Sequence, residues 1–202
     1  MALKIKTKDT EVTPTSIFDP TESVWGEEVG PLELVYHPDP ILTEETIPFD
    51  FSNPQVDPVS LLERMKEVLV KERGMGLAAP QVGLPYRVFI MGVYDDPDGI
   101  IPVFNPVITT ASDEEILMEE GCLSFPHLYM KVKRPAGIRV RYTTEKGITD
   151  TIKFDGLSAR IFQHEYDHLH GNVFTKRANR IHRARGLKNQ KLYFRREKRE
   201  NA

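Results

Sequence analysis

The chain has one cysteine, Cys122, one tryptophan, Trp25, and no long hydrophobic run. A lone cysteine forms no intrachain disulfide, which excludes a small secreted scaffold stapled by cross-links. No segment approaches the roughly 20 consecutive apolar residues that a membrane helix needs. The N-terminus lacks the apolar core of a signal peptide. Its acids (Asp9, Glu11, Asp19, Glu22, Glu27 and Glu28) are foreign to an organellar transit peptide. A cytoplasmic protein is the expectation. What is present suffices for one ordinary domain: 202 residues, 40% apolar and 28% charged, above the disordered range.

Charge is unevenly spread. The net value of −3 hides an acidic body and a basic end: residues 176–202 carry 11 Lys/Arg and 2 Glu, a balance of +9. The preceding 175 residues carry 16 basic and 28 acidic side chains, a balance of −12. A basic tail on an acidic body suits a polyanionic partner.

Residues 1–31 read as an extension, polar and punctuated by Pro14, Pro20 and Pro31, with Trp25 as its anchor to the body. One domain is expected over 32–175, followed by the basic segment 176–202. A first helix is predicted over 58–73. Asp57 can cap it, Pro58 fits its first turn, Leu61, Leu62, Met65, Val68 and Leu69 form one stripe, and Gly74 offers a stop. Strands are predicted over 86–93, 103–109, 115–119, 137–144 and 148–154, the last two joined as a hairpin through 145–147. A helical period returns over 157–170. The fold class is therefore α+β, with antiparallel sheets around a central helix.

That second helix carries Gln163-His164-Glu165-Tyr166-Asp167-His168-Leu169. Histidines four apart project from one helix face and can share a metal ion. Glu165, beside them, is placed to act as a general base on water. With six histidines in the chain, roughly 0.016 His-Glu-x-x-His matches are expected by chance, too few to dismiss the pattern as two surface histidines. A third ligand decides the class. In a metzincin that ligand would fall at Phe174, which cannot bind metal. The later Glu ligand of a thermolysin-like peptidase finds only Glu197 and Glu200, inside the basic tail. Cys122, in Glu119-Glu120-Gly121-Cys122-Leu123-Ser124, is the better candidate, although a lone cysteine is usually a small buried apolar residue. One sulfur and two imidazoles leave a position open, the mark of a catalytic site.

The stretch Gly74-Met75-Gly76-Leu77-Ala78-Ala79-Pro80-Gln81 formally matches a dinucleotide fingerprint. It follows a helix rather than a strand, and Pro80 interrupts any helix opening within it, so a nucleotide site is rejected. Its glycines let backbone approach an extended substrate, and Gln81 can offer its amide to an oxyanion. Read alone, Gln81 is a solvated loop side chain.

Together these three segments resemble the peptide deformylases, metal hydrolases that remove the formyl group from formyl-methionyl nascent chains. Tyr36 to Leu42 and Asn105-Pro106 resemble further parts of that family's pattern, so the resemblance runs from about 34 to 175. It implies Cys122, His164 and His168 as ligands of one divalent metal, natively Fe²⁺ in many members, with Zn²⁺, Ni²⁺ or Co²⁺ able to replace it. It implies that Glu165 shuttles the proton between attacking water and leaving amine. The N–H of Leu123 and the amide of Gln81 would then hold the oxyanion. Gly76 would bond the substrate backbone, and Met75, Leu157 and Ile161 would receive the methionine side chain. Tyr129, where some relatives carry a basic residue, and Arg160, where many carry an aliphatic one, depart from the pattern and bear on pocket shape. Glu120 and Arg134 are expected to pair behind Cys122. Formyl-methionyl N-termini are the implied partners, the basic tail is expected to dock near the ribosomal exit tunnel, and a monomer is expected. Ala178, Ile181, Ala184 and Leu187 suggest an apolar stripe on that tail, interrupted at Gly186.

Two readings from other classes compete. One is a His-Glu-x-x-His endopeptidase. The other is a non-catalytic metal module with an RNA-binding tail, for which His127 and His170 are the nearby fourth ligands.

Overall fold

The computed structural model describes residues 27–93 and 96–201; Trp25 and most of the extension lie outside them. Helix α1 (Pro58–Lys71) forms where its stripe and cap predict it: Asp57 accepts from the N–H of Ser60, and Leu61, Met65, Val68 and Leu69 are buried. Its exit differs. The left-handed residue is Arg73 (φ +53°), and Gly74 instead leaves room for Leu123 and Leu69, whose Cδ1 atoms would each lie 2.8 Å from an added Cβ.

Among the described residues, seven strands follow the helix. The main sheet is antiparallel, in the order β1 (Gly76–Ala78), β2 (Val88–Val93), β3 (Asp96–Ala111), β6 (Gly137–Thr143), β7 (Thr149–Asp155). Strands β4 (Glu115–Cys122) and β5 (Phe125–Pro135) form a separate hairpin. Neither β1 nor β5 is predicted from sequence. Gly-Leu-Ala has no strand propensity of its own and is held by pairing Gly76 with Met91 and Ala78 with Phe89. β5 does alternate, with Leu128, Met130 and Val132 inward, but Arg134 also points inward and prolines mark both ends.

Helix α2 (Gly156–Leu169) lies against both sheets, and from Ala159 to Leu169 every residue but Tyr166 is buried. Apolar side chains on one side, Ala159, Phe162 and Leu169, pack onto the main sheet with Phe89, Val140 and Phe154. The other side carries Arg160, His164, Glu165, Asp167 and His168 into the interior. Polar groups so placed need partners, and the partners define the site. A short helix α3 (Phe174–Arg177) sets Phe174 against Phe125 on β5.

The basic segment forms helix α4 (Arg180–Glu200), capped by Asn179, whose side-chain oxygen accepts from the N–H of His182. It packs on β5 through a different face from the stripe read off the sequence. At 100° per residue, His182, Gly186, Gln190 and Tyr193 share the inner side, whereas strict three-residue steps drift around the helix. Ile181 (76% exposed) and Leu187 (46%) therefore face outward. Gly186 is the crossing point: an added Cβ would meet the carbonyl oxygen of Tyr129 at 2.6 Å and Cγ of Met130 at 2.7 Å. The glycine does not interrupt the helix; it lets the helix dock.

Candidate active site

Cys122 ends β4 next to a register shift at Gly121/Cys122, and only Leu123 and Ser124 separate it from Phe125. A bulge there re-aims the side chain off the ladder. The thiol turns toward α2, where His164 and His168 stand one turn apart with ring centroids 5.2 Å from each other. Sγ of Cys122 lies 3.3 Å from Nε2 of His168, and one donor atom from each of the three residues falls within a 4.8 Å span. His127 and His170 do not join them. His127 sits at a cavity rim, and Nδ1 of His170 donates to the carbonyl of Tyr166 at 2.9 Å. Phe174 is buried beside the His164 ring, centroids 5.9 Å apart, and supplies no ligand.

Behind the triad lies a buried ion network. Nδ1–H of His164 donates to Oε2 of Glu120 at 3.1 Å, which fixes the tautomer and leaves Nε2 free to bind an ion. The Arg134 guanidinium grips the same carboxylate in bidentate fashion, Nε to Oε1 at 2.7 Å and Nη2 to Oε2 at 2.9 Å. The Glu120–Arg134 pair expected from sequence is thus present. Arg160 adds a fourth donation, Nη1 to Oε1 at 2.8 Å, and also bonds the carbonyls of Val132 and Ile116. Burial alone would raise the Glu120 pKa, but these donors from Arg134 and His164 hold it well below the usual carboxylate range. On its far side Arg134 meets Asp167 at 2.6 Å, and Asp167 in turn accepts from Arg177. Sequence reasoning passed over Asp167 and Arg177 as functional residues; the only signal was the acid inside the His-Glu-x-x-His turn.

The triad suits a cation. Burial works against a charge on His164, yet Cys122 and Glu120 raise its pKa well above the ordinary value. Anionic groups that stabilise an added proton also stabilise a metal in its place. His168 is pushed the other way, downward, by burial and then by the charges of His164 and Arg134, which keeps it the neutral imidazole a metal requires. A sulfur with two imidazole nitrogens is a donor set for borderline transition metals rather than for Mg²⁺ or Ca²⁺.

Glu165, beside the triad, makes no use of that network. Its Oε2 is buried and has no hydrogen-bond partner among the described residues. Burial pushes its pKa up to about 7, against the pull of His164 and Arg134. A carboxyl group poised there exchanges a proton readily near neutral pH. Its carboxylate lies against Gly76, where an added Cβ would fall 2.6 Å from Oε1, so β1 needs glycine at that point.

Gln81 sits on a 3₁₀ turn over Ala79–Val82 and is 1% exposed, so the solvated reading does not hold. Its Oε1 accepts from the N–H of Ala78 at 2.9 Å, which turns the NH₂ toward Cys122 Sγ (3.5 Å) and Ser124 Oγ (3.4 Å). A cavity of about 430 Å³ opens over these groups. Met75, Gly76, Leu123, Tyr129, Leu157 and Ile161 all line it, as do Gln81, Cys122, His164 and Glu165, while His168 lies behind. Arg160 also borders the cavity, but its guanidinium is withdrawn into the ion network, so it adds no free charge to the pocket.

The family model for polypeptide deformylase matches residues 31–184. A peptide deformylase of Treponema pallidum is 40% identical over 157 residues, 78% of this chain and 94% of the relative. A crystal structure of a Legionella pneumophila peptide deformylase superposes with a TM-score of 0.72 at 30% identity, covering 84% of this chain and 99% of that one. A class I type b peptide deformylase of Acinetobacter baumannii with Met-Ala-Ser bound superposes at 0.67 and 32% identity, covering 73% of this chain and 98% of that one.

Proposed function

The chain belongs to the peptide deformylase family, whose members remove the N-formyl group from nascent peptides, and we propose that it works with one divalent metal held by Cys122, His164 and His168. The observation that carries this reading is the Cys/His/His cluster beside a buried Glu165 oxygen with no hydrogen-bond partner among the described residues, with Cys122, His164 and Glu165 lining one cavity. Fe²⁺ is the proposed native ion, with Zn²⁺, Ni²⁺ or Co²⁺ as substitutes. Such an ion supplies Lewis acidity that makes water nucleophilic near neutral pH.

The residues do the rest. Glu165 takes the proton of the attacking water and returns it to the leaving amine, a role matched to a carboxyl group whose pKa burial pushes up to about 7. The NH₂ of Gln81, fixed by Ala78, and the N–H of Leu123 donate to the oxyanion as the formyl carbon becomes tetrahedral. Gly76 on the edge strand β1 bonds the peptide backbone. Met75, Leu157 and Ile161 receive the methionine side chain, and Tyr129 borders the path beyond it. The Met-Ala-Ser seen in the Acinetobacter protein supports a peptide of this kind in the same cavity.

We divide the chain into an extension (1–31), a catalytic domain (32–175) and a basic segment (176–202), and place the enzyme in the cytoplasm as a monomer. Among the described residues, no helix is long and apolar enough to cross a membrane. The outer face of α4 is read as docking the enzyme near the ribosomal exit tunnel. Its support is charge: Lys188, Lys191 and Arg195 lie on the side of α4 away from β5.

Formate release from formyl-Met-Ala-Ser by protein purified anaerobically, or loaded with Ni²⁺ or Co²⁺, tests the reading. Cys122→Ser should lose metal and activity together. Glu165→Gln should keep its metal while turnover falls by about 10²–10⁴. Normal turnover by Glu165→Gln, or no formate from metal-loaded wild type, refutes it.

A further inference from the structure

Helix α4 touches more than the outside of β5. Nε2 of Gln190 donates to the carbonyl of Pro126 at 2.8 Å. The Tyr193 ring stacks on His127, with centroids 3.8 Å apart and planes 19° from parallel, and Phe194 meets the same imidazole edge-on at 5.6 Å. At Gly186 the helix backbone presses on the carbonyl of Tyr129. Pro126, His127 and Tyr129 are three exposed residues that line the cavity. They form its rim on the β5 side, whereas Ile161 lies deep within it. His127 also has φ +58°, a left-handed conformation uncommon for a residue with a side chain.

We propose that α4 is the outer support of this rim, and that Gln190 and Tyr193 are positioning residues for the part of the peptide beyond formyl-methionine. The inference rests on the deformylase reading. The reacting formyl carbon must lie at Cys122 and Glu165, so the chain leaving it runs outward. Each further residue adds about 3.3 Å, so the residues after the second are the ones that run out along the rim. Neither Gln190 nor Tyr193 reaches the reacting atoms; each acts through Pro126 or His127.

The test compares two substrates, formyl-Met-Ala and a formyl-Met pentapeptide, with metal-loaded full-length protein. Tyr193→Ala and Gln190→Ala should each raise KM for the pentapeptide about threefold to tenfold, the range of one stacked pair or hydrogen bond. The kcat for both substrates, KM for formyl-Met-Ala and metal content should stay within about twofold of wild type. Tyr193→Phe keeps the stacked ring and should restore the pentapeptide KM. A general loss of support for the fold would instead depress kcat on both substrates and lower metal content. Equal changes on the two substrates, or an unchanged pentapeptide KM in both alanine variants, overturns the inference. Wild type that releases formate from neither substrate would overturn the deformylase reading instead.

Discussion

Replacing Glu120 with glutamine perturbs the centre of the ion network while keeping its shape. The carboxylate accepts from Arg134 twice, from Arg160 and from His164, and Arg134, Arg160 and Glu120 are each no more than 6% exposed. An amide removes the negative charge between two guanidiniums and sets its NH₂ against two donors, Arg134 with Arg160 at one position or Arg134 with His164 at the other. Breaking one partner of a buried ion pair costs about 3–5 kcal/mol. In a chain of this length each kcal/mol shifts Tm by about 2–4 °C, so a fall of about 6–20 °C is expected in the metal-free protein. A second effect is separable. Without its acceptor, Nδ1 of His164 no longer orients the ring, and metal affinity measured by chelator competition should drop about 10–100-fold. Glu115→Gln is the control. Its pairing with Lys133 is exposed, 40% and 63%, and should cost at most about 1 kcal/mol. A Glu120→Gln protein that melts within about 3 °C of wild type and binds metal within about twofold would refute this account of the network.

Three shorter predictions follow from other contacts. Gln81→Ala should lower kcat/KM about 10²–10³-fold with metal content intact, and a loss under tenfold would remove Gln81 from the oxyanion role. Gly76→Ala places a methyl group on the Glu165 carboxylate; overpacking of about 1–3 kcal/mol should appear as a Tm fall of about 2–12 °C with a matching loss of turnover. Reversing Lys188, Lys191 and Arg195 to glutamate should abolish ribosome co-sedimentation at moderate salt while hydrolysis of formyl-Met-Ala persists. Co-sedimentation that ignores both salt and these charges would exclude docking through the outer face of α4.

The parts of the molecule legible in the sequence are those set by local pattern. The α1 stripe, its Asp57 cap and the histidine spacing of α2 need only a few neighbouring residues to be read. That Cys122, His164 and His168 fall close together was legible because residue type limits the chemistry, even between positions 42 apart in the chain. What was not legible depends on distant partners. Strand β1 exists because β2 pairs with it. Arg160 reads as a change in pocket shape until Glu120, 40 positions away, is seen to claim its guanidinium. Gly186 reads as a helix breaker until the backbone of Tyr129 appears beneath it. The docking face of α4 was misplaced for the same reason: apolar residues mark a packing face only when packing is apolar, and here a glycine, a glutamine and a stacked tyrosine make the contact.

Reactive groups commonly gather on loops, where the chain opens easily. Here His164, Glu165 and His168 ride on α2, a helix buried along most of its length and packed against both sheets. Amides of such a segment exchange with solvent through openings that approach global unfolding, so they should be among the slowest in the protein. The spacing between the two histidines and Glu165 is then as durable as the fold itself. Glu120 and Cys122, by contrast, reach that helix from the hairpin β4–β5, so their placement depends on how the hairpin docks against α2.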